Sequence, residues 1–331
     1  MTTLKDVANL ANVSIATVSR VFSESSAVTS ETRKKVINAA EILDYHPNAL
    51  GRQLRNLETK TILIVVPDIT NTFFSNVIRS IESIASDNGF QVFLADTKNR
   101  PENEERVIDH LRNKQVDGVI LLTARTNVAS LNKLSEDYPV VLACEYMEHS
   151  NIPSVSIDNI SSARKVSNHF FQLGHKKVAH ISGPMEVVLS RDRLRGYKQS
   201  VLENRQEINS LFIQEGDFSY ESGYQLMEKL LALESPPSAV FAANDEMAIG
   251  AINAIKHYKL RVPEDISVAG FDDIKMSRIF APPLTTISQP ALEIGEKAMK
   301  LLLDIMGGEE VTKRHIVLND QLIIRDSCKR F

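Results

Sequence analysis

Cysteine is nearly absent from this chain. Cys144 and Cys328 lie far apart among 331 residues and make no CxxC spacing. That excludes a disulfide framework and a paired-cysteine metal site, and it suits a reducing compartment. Long apolar runs are missing too. The longest, Ile62–Pro67 and Gly118–Leu122, fall far short of a membrane span. The opening Met-Thr-Thr-Leu-Lys-Asp carries no apolar core of a secretory signal. A cytoplasmic location with no membrane partner is expected. There is no GxSxG elbow, GxxxxGK loop or HExxH pair, so no catalytic, cofactor or metal residue is assigned and no enzyme is expected. Nor does one sign of charge dominate. The net charge is −4, yet residues 1–60 hold 8 Lys/Arg against 6 Asp/Glu, and the remainder holds 30 against 36. A weakly basic front on an acidic body fits a small nucleic-acid-binding module joined to a soluble domain.

The first 45 residues read as short helices. Leu4, Val7, Ala8 and Ala11 share one helical face. Asn12-Val13-Ser14 breaks it, because Asn tolerates the left-handed backbone of a tight turn and Ser14 can cap a second helix through about Phe22. Ser30 can cap a third, with Val36, Ala39, Ala40 and Leu43 inward. A break follows at Tyr45-His46-Pro47-Asn48, then a short segment Ala49–Asn56 and a polar linker Leu57–Lys60. From Thr61 the texture changes. Apolar runs such as Ile62–Val66, Val92–Ala95, Val119–Leu122 and Val140–Cys144 alternate with amphipathic stretches, and the pattern restarts after residue 160 with Val178–Ser182, Val240–Ala242 and Ile266–Phe271. Gly89 and Gly174 fall where helices should stop. Such β-α-β texture, in two similar halves, predicts two doubly wound parallel-sheet lobes with a cleft between them.

Thr3–Val21 contains Asp6-Val7-Ala8, Val13-Ser14 and Thr17-Val18-Ser19-Arg20-Val21. In order and spacing these residues resemble the helix-turn-helix of the lactose/galactose-repressor family, and the likeness runs along nearly the whole chain. The resemblance implies an all-α helix-turn-helix headpiece plus α/β lobes of periplasmic-binding-protein type. The expected boundaries are a DNA-binding domain at 1–46, a hinge helix and linker at 47–60, and an effector-binding and dimerisation domain at 61–331. Its N-lobe would span about 61–159 and 291–318, and its C-lobe about 160–290 and 319–331. In such a motif the second helix enters the major groove. Ile15, Ala16 and Arg20 would then face the bases, with Arg20 able to grip a guanine bidentately, worth roughly 1–3 kcal/mol of discrimination. Thr3, Ser14, Thr17, Ser19 and Asn48 are candidates for phosphate contacts. Arg20 could instead be a solvated helix arginine, and Thr17 and Ser19 plain surface or packing residues. Ala49–Arg55 matches the family's hinge helix. Leu54 stands at the leucine that wedges into the minor groove, and Arg52 and Arg55 could reach phosphates. Gly51 departs from the bulkier residue common there, which favours a hinge that folds only on DNA; Leu54 could also be a linker residue packed on the body.

Ligands of open α/β sheets bind beyond the carboxyl ends of strands. Asp68, Asp158, Asn244-Asp245 and Asp272-Asp273 sit at such ends. Carboxylates and one arginine converging there suit a polyhydroxylated ligand. By resemblance the effector residues are Phe73, Phe74, Asp158, Arg193, Phe218, Asn244, Asp272 and Gln289. Adjacent helix positions do not share a face, so one of Phe73 and Phe74 should be core and one cleft, Phe73 being favoured for the cleft. Asp158 and Asn244 could instead be helix caps, and Phe218 a core residue. Pro282–Ile287, a family hallmark, should carry the chain back between lobes. Thr72 replaces the common proline before Phe73, and Ala291 lacks the aromatic of some sugar-responsive members. Val65–Ile69 with Phe73-Phe74 is similar to the family's cytidine-responsive and related branches. A sugar, a sugar phosphate or a nucleoside is therefore the expected effector.

Two such headpieces on double-stranded operator DNA require a homodimer. No leucine heptad follows Leu322–Arg325, so nothing encodes a tetramer. Lobe closure would change the spacing of the two hinges. As in the family's catabolite-control branch, a phosphocarrier protein could act with or in place of the small molecule. An enzyme and a secreted solute-binding protein are the remaining alternatives.

Overall fold

A computed structural model describes residues 2–22, 28–45 and 58–331. They form two compact units, Met1–Glu58 and Thr59–Phe331. In the first, α1 (Leu4–Ala11), α2 (Ile15–Phe22) and α3 (Ser30–Ile42) close around Val7, Ala8, Ala11, Val18, Val21, Val36, Ala39 and Ala40. The apolar face of α1 is narrower than its periodicity predicts, for Leu4 is 36% exposed. Asn12 ends α1 in the left-handed region, φ 52°. Ser14 caps α2, its Oγ accepting from the Thr17 N–H at 3.1 Å. The cap of α3 is Thr29 rather than Ser30, which is already helical.

The second unit has two lobes. The N-lobe is a six-stranded, all-parallel sheet of β1 (Thr61–Val66), β2 (Gln91–Asp96), β3 (Gly118–Leu121), β4 (Val140–Ala143), β5 (Ser154–Ile157) and β11 (His315–Leu318), in the order β11-β5-β4-β3-β1-β2. α4 (Phe73–Asp87), α5 (Pro101–Arg112), α6 (Val128–Asp137) and α12 (Ala291–Met306) belong to it. Ile62, Ile64 and Val66 of β1 pack with α4 and α12, while Leu63 and Val65 pack with α5 and α6. All of these are buried, which is why the strand reads as a continuous apolar run.

The C-lobe sheet is also parallel, in the order β7 (Ile213–Glu215), β6 (Val178–Ser182), β8 (Ala239–Ala242), β9 (Ser267–Ala269). α7 (Asn159–Gln172) and α8 (Val188–Glu203) cover one face; α9 (Tyr220–Leu231) and α10 (Asp245–His257) cover the other. The short α11 (Lys275–Ile279) precedes β10 (Thr286–Ser288), which pairs antiparallel with β12 (Gln321–Ile323). The chain thus crosses between lobes three times, at β5–α7, β10–α12 and β11–β12. Pro282–Ile287 runs into β10, and Ala269 and Asp272 form parallel bridges with Thr285 and Ser288. Where the body begins, Asp117 accepts from the backbone N–H groups of Thr59 (2.8 Å) and Lys60 (2.7 Å).

Gly89 and Gly174 follow α4 and α7 at φ 75° and 94°. Gly196 has a different duty: a Cβ there would lie 2.2 Å from the Ile160 carbonyl oxygen and 3.0 Å from the Ala163 side chain. It lets α7 and α8 approach each other. Gly196→Ala should therefore cost about 3 kcal/mol and lower the melting temperature by several degrees. Gly307→Ala, whose nearest contact is 3.4 Å, should stay within about 0.5 kcal/mol of the parent. Thermal unfolding of the two variants checks this; equal melting temperatures would contradict it.

Candidate functional site

Two surfaces carry chemistry. On the headpiece, α2 buries Val18 and Val21 and turns Ile15, Ala16 and Arg20 outward. Ile15 is 49% exposed although it is apolar. Thr17 and Ser19 are half-buried beside them. Thr3 and Ser14 are exposed but already employed as caps. Thr3 shares a capping box with Asp6, and Ser14 Oγ lies 2.9 Å from Thr17 Oγ1. A cap can still present its hydroxyl to a phosphate. Asn48, Arg52, Leu54 and Arg55 lie outside the described residues.

In the body, the segments after the carboxyl ends of β1, β2, β3, β4, β7, β8 and β9 open on one cavity of about 260 Å³ between the lobes. This is near the small end of ligand pockets, with room for one small molecule. Seven of the eight expected effector residues line it: Phe73, Phe74, Arg193, Phe218, Asn244, Asp272 and Gln289. Phe73 and Phe74 do not divide into one core and one cleft residue. Both are buried, their rings meet edge to face at 5.3 Å, and both border the cavity while packing in one apolar cluster with Ile249 and Ile274 of the C-lobe. The cavity sits at the N-terminal end of α4, where the first two side chains can both reach it.

Arg193 is 4% exposed. Its Nε donates to Asn159 Oδ1 at 2.9 Å, and its Nη1 donates to the Ala243 carbonyl. The guanidinium lies 3.6 Å from the Phe271 ring centroid, and Nη2 is 4.0 Å from Asp272 Oδ1. Burial pulls its pKa down to about 10, against the pull of Asp272. Asp272 has φ 111°, which is strained for a residue other than glycine. It accepts from Gln289 Nε2 at 2.7 Å, and burial lifts its pKa to about 6 although Arg193 and Gln289 oppose this. Asn244 does two jobs. It caps α10 by accepting from the Met247 N–H at 2.9 Å, and it donates to the Phe218 carbonyl at 2.9 Å. That bond helps hold Phe218 at φ 71°, its ring against Gly183.

Asp158 is the exception. It is exposed and caps α7, Oδ1 accepting from the Ser161 N–H at 3.0 Å, and it is not among the cavity-lining residues. The neighbour Asn159 takes the place at the site by holding Arg193. Strand-end position was the misleading signal, because a helix begins at once and needs a cap. Asp245 and Asp273 are likewise committed elsewhere. Asp245 accepts from the Thr286 hydroxyl and the Ile274 N–H; Asp273 pairs with Arg278 and Arg325. Asp68 does line the cavity. Arg125, Asp217, Tyr220, Glu221 and Glu246 line it as well, and no motif marks them. They lie in loops or first helical turns, where neither periodicity nor strand ends point. Tyr146 donates to Asp192 at 2.9 Å and Arg191 pairs with Glu148 at 2.6 Å, each joining the loop after β4 to α8.

Residues 3–48 match the model of bacterial regulatory proteins of the lacI family, and residues 167–328 match a periplasmic binding protein-like domain. The HTH-type transcriptional repressor CytR of Escherichia coli (strain K12) is 41% identical over 99% of this chain and 96% of its own. The catabolite control protein A of Priestia megaterium is 36% identical over 99% of each chain. The crystal structure of the Lac repressor dimer bound to operator and the anti-inducer ONPF superposes with a TM-score of 0.90, at 30% identity over 99% of both chains. No helix among the described residues is long and apolar enough to cross a membrane.

The Asp272 carboxyl has a testable signature. Its folded pKa of about 6 exceeds the unfolded value of about 3.9. The folded state therefore binds the proton more tightly, and stability falls as pH rises from about 4 to 6. Asp272→Asn removes that loss. Relative to the parent, the variant should gain stability across this window, by at most about 3 kcal/mol, and the gain should level off above it. Chemical unfolding of both proteins at stepped pH measures the difference; a difference independent of pH would contradict the assignment.

Proposed function

Because the chain belongs to the lacI family of bacterial regulatory proteins, and is a DNA-binding transcriptional repressor under allosteric control by a ligand, we propose that its effector is a small uncharged polyhydroxylated molecule, a sugar or a nucleoside, held between the lobes. The balance of charge around the cavity carries this reading. Asp68, Asp217, Glu221, Glu246 and Asp272 border it against two arginines, and Arg193 is already matched to Asn159, Ala243 and Asp272. A phosphate ester would add negative charge to an acidic, poorly hydrated cleft. Hydroxyl groups, by contrast, can donate to the carboxylates and accept from the guanidiniums. Phe73, Phe74, Phe218 and Tyr220 supply apolar surface for a ring. The relatives' named role as transcriptional repressors supports a cytoplasmic regulator without enzymatic turnover.

The exposed face of Ile15, Ala16 and Arg20 reads the operator half-site, Arg20 selecting a G·C pair. Thr3, Ser14, Thr17, Ser19 and Asn48 position the module on phosphates, and Leu54 flanked by Arg52 and Arg55 acts as the minor-groove wedge. The protein works as a homodimer. Phe93 and Leu94 on the edge strand β2, with Met276 and Ile279 on α11, are large apolar side chains left 45–67% exposed in one chain, and a second copy would cover them. Ligand binding shifts the closure of the lobes and thereby the pairing of the two hinges. DNA must change ligand affinity by the same factor.

A thermal-shift series of sugars, nucleosides and their phosphates tests the effector class. Saturation with the true effector at a hundredfold excess over Kd should add about 2.7 kcal/mol to stability, and the phosphate ester of the same compound should do far less. A larger shift with the phosphate would overturn the charge argument. Gel shifts complete the test: Arg193→Ala should bind operator with no response to the effector, whereas an unchanged response would remove the cavity from the mechanism.

A further inference from the structure

The loop after β3 brings a second guanidinium to the cavity, from the lobe opposite Arg193. Glu104 of α5, only 1% exposed, accepts from the backbone N–H groups of Arg125 (2.9 and 3.1 Å) and Thr126 (2.9 Å). Glu145, 2% exposed, accepts from the Ala124 N–H and, at 3.3 Å, from Arg125 Nη1, which also donates to the Ala124 carbonyl at 3.1 Å. Two buried carboxylates from different segments thus clamp both the loop and the side chain, so little freedom is left to lose when a ligand arrives. The Arg125 side chain is 10% exposed and borders the cavity. Its Nε and Nη2 donate to none of the described residues. A guanidinium has five N–H donors in a fixed fork. Neither nitrogen is fully buried, so both are open to an acceptor on whatever fills the cavity.

Charge narrows the kind of acceptor. Glu145 already balances Arg125, and Glu104 adds a further carboxylate to the same loop. A neutral oxygen or ring nitrogen can take the free N–H groups without meeting these carboxylates as a like charge. On the assumption that the cavity is the effector site, we infer that Arg125 is a second ligand anchor and a determinant of specificity. It donates to a neutral acceptor on the side of the ligand facing the N-lobe, while Arg193 serves the side facing the C-lobe. A molecule with acceptors on both sides ties the lobes together; one with acceptors on one side only occupies the cavity without doing so.

The test uses the intact protein, titrated calorimetrically with ribose, glucose, uridine, cytidine and adenosine. Arg125→Met leaves Glu145 buried without its partner, so the double variant Arg125→Met/Glu145→Gln is made as well, together with Arg125→Lys. For a probe that binds the parent, both Met-containing variants should lose about ten- to a hundredfold in affinity, and Arg125→Lys should recover part of it. Singly deoxygenated or deaza analogues of that probe separate contact from packing. One analogue should lose a similar factor against the parent and nothing further against Arg125→Met. Affinity of the double variant within twofold of the parent, or additive losses for every analogue, would overturn the anchor and leave the cavity reading intact. Failure of the whole series to bind the parent would overturn the cavity reading, and the anchor with it.

Discussion

Burying a guanidinium in a protein interior costs several kcal/mol unless its charge and its N–H groups are matched. Arg193, at 4% exposure, imposes that condition on the C-lobe. Its partners come from the start of α7 (Asn159), the end of β8 (Ala243) and the loop after β9 (Phe271 and Asp272). Those segments are brought to one point by a parallel sheet whose strands all end on the same side. The floor of the cavity and the upper end of the lobe are therefore one structure. The strained backbone of Asp272 and its raised pKa follow from the same demand: a carboxylate is wanted near the guanidinium, in a place with little water to solvate it.

Above this floor the lobes are joined by unlike materials. Phe73 and Phe74 pack with Ile249 and Ile274 across the cleft, an apolar contact that tolerates sliding. Tyr146–Asp192 and Arg191–Glu148 join the loop after β4 to α8 with directional polar bonds. Burial lifts the Glu246 pKa, and the like charges of Asp68 from the N-lobe and Glu221 from the C-lobe raise it further. Polar attraction between the lobes is thus set against like charge within the cleft, a balance that a ligand supplying hydrogen-bond donors to the carboxylates would shift. Only three chain crossings join the lobes, and the proposed control needs no more than a movement of one lobe against the other that leaves both cores intact.

Much of this was legible in the sequence. Runs such as Ile62–Val66 announce strands buried on both faces, and Gly89 and Gly174 mark helix ends that the structure closes at positive φ. Asn12 and Ser14 betray the first helical turn because their side chains suit a left-handed residue and a cap. Arg193 is marked only by the family resemblance, since its own stretch Arg191-Asp192-Arg193-Leu194-Arg195 is full of charge, whereas Asp272 is also marked by the strand that ends just before it. The remainder failed for local reasons. Asp158 shares its strand-end position with true cavity residues, but a helix starts immediately after it and takes its carboxylate as a cap. The rule that adjacent residues face apart holds for a helix interior, whereas Phe73 and Phe74 occupy the first turn. Arg125 belongs to a loop whose conformation depends on Glu104 and Glu145, residues that no spacing rule links to it. Edge strands and short pairings such as β7 and β10–β12 are too brief to show a period.

The proposed regulation is a coupling between the cavity and the DNA-binding surface. The most direct measurement is the affinity of the identified effector for the intact protein, free and bound to an operator selected from a random pool. The account predicts that operator changes effector affinity by the same factor by which effector changes operator affinity, in the same direction. An effector affinity unaltered by operator would contradict it.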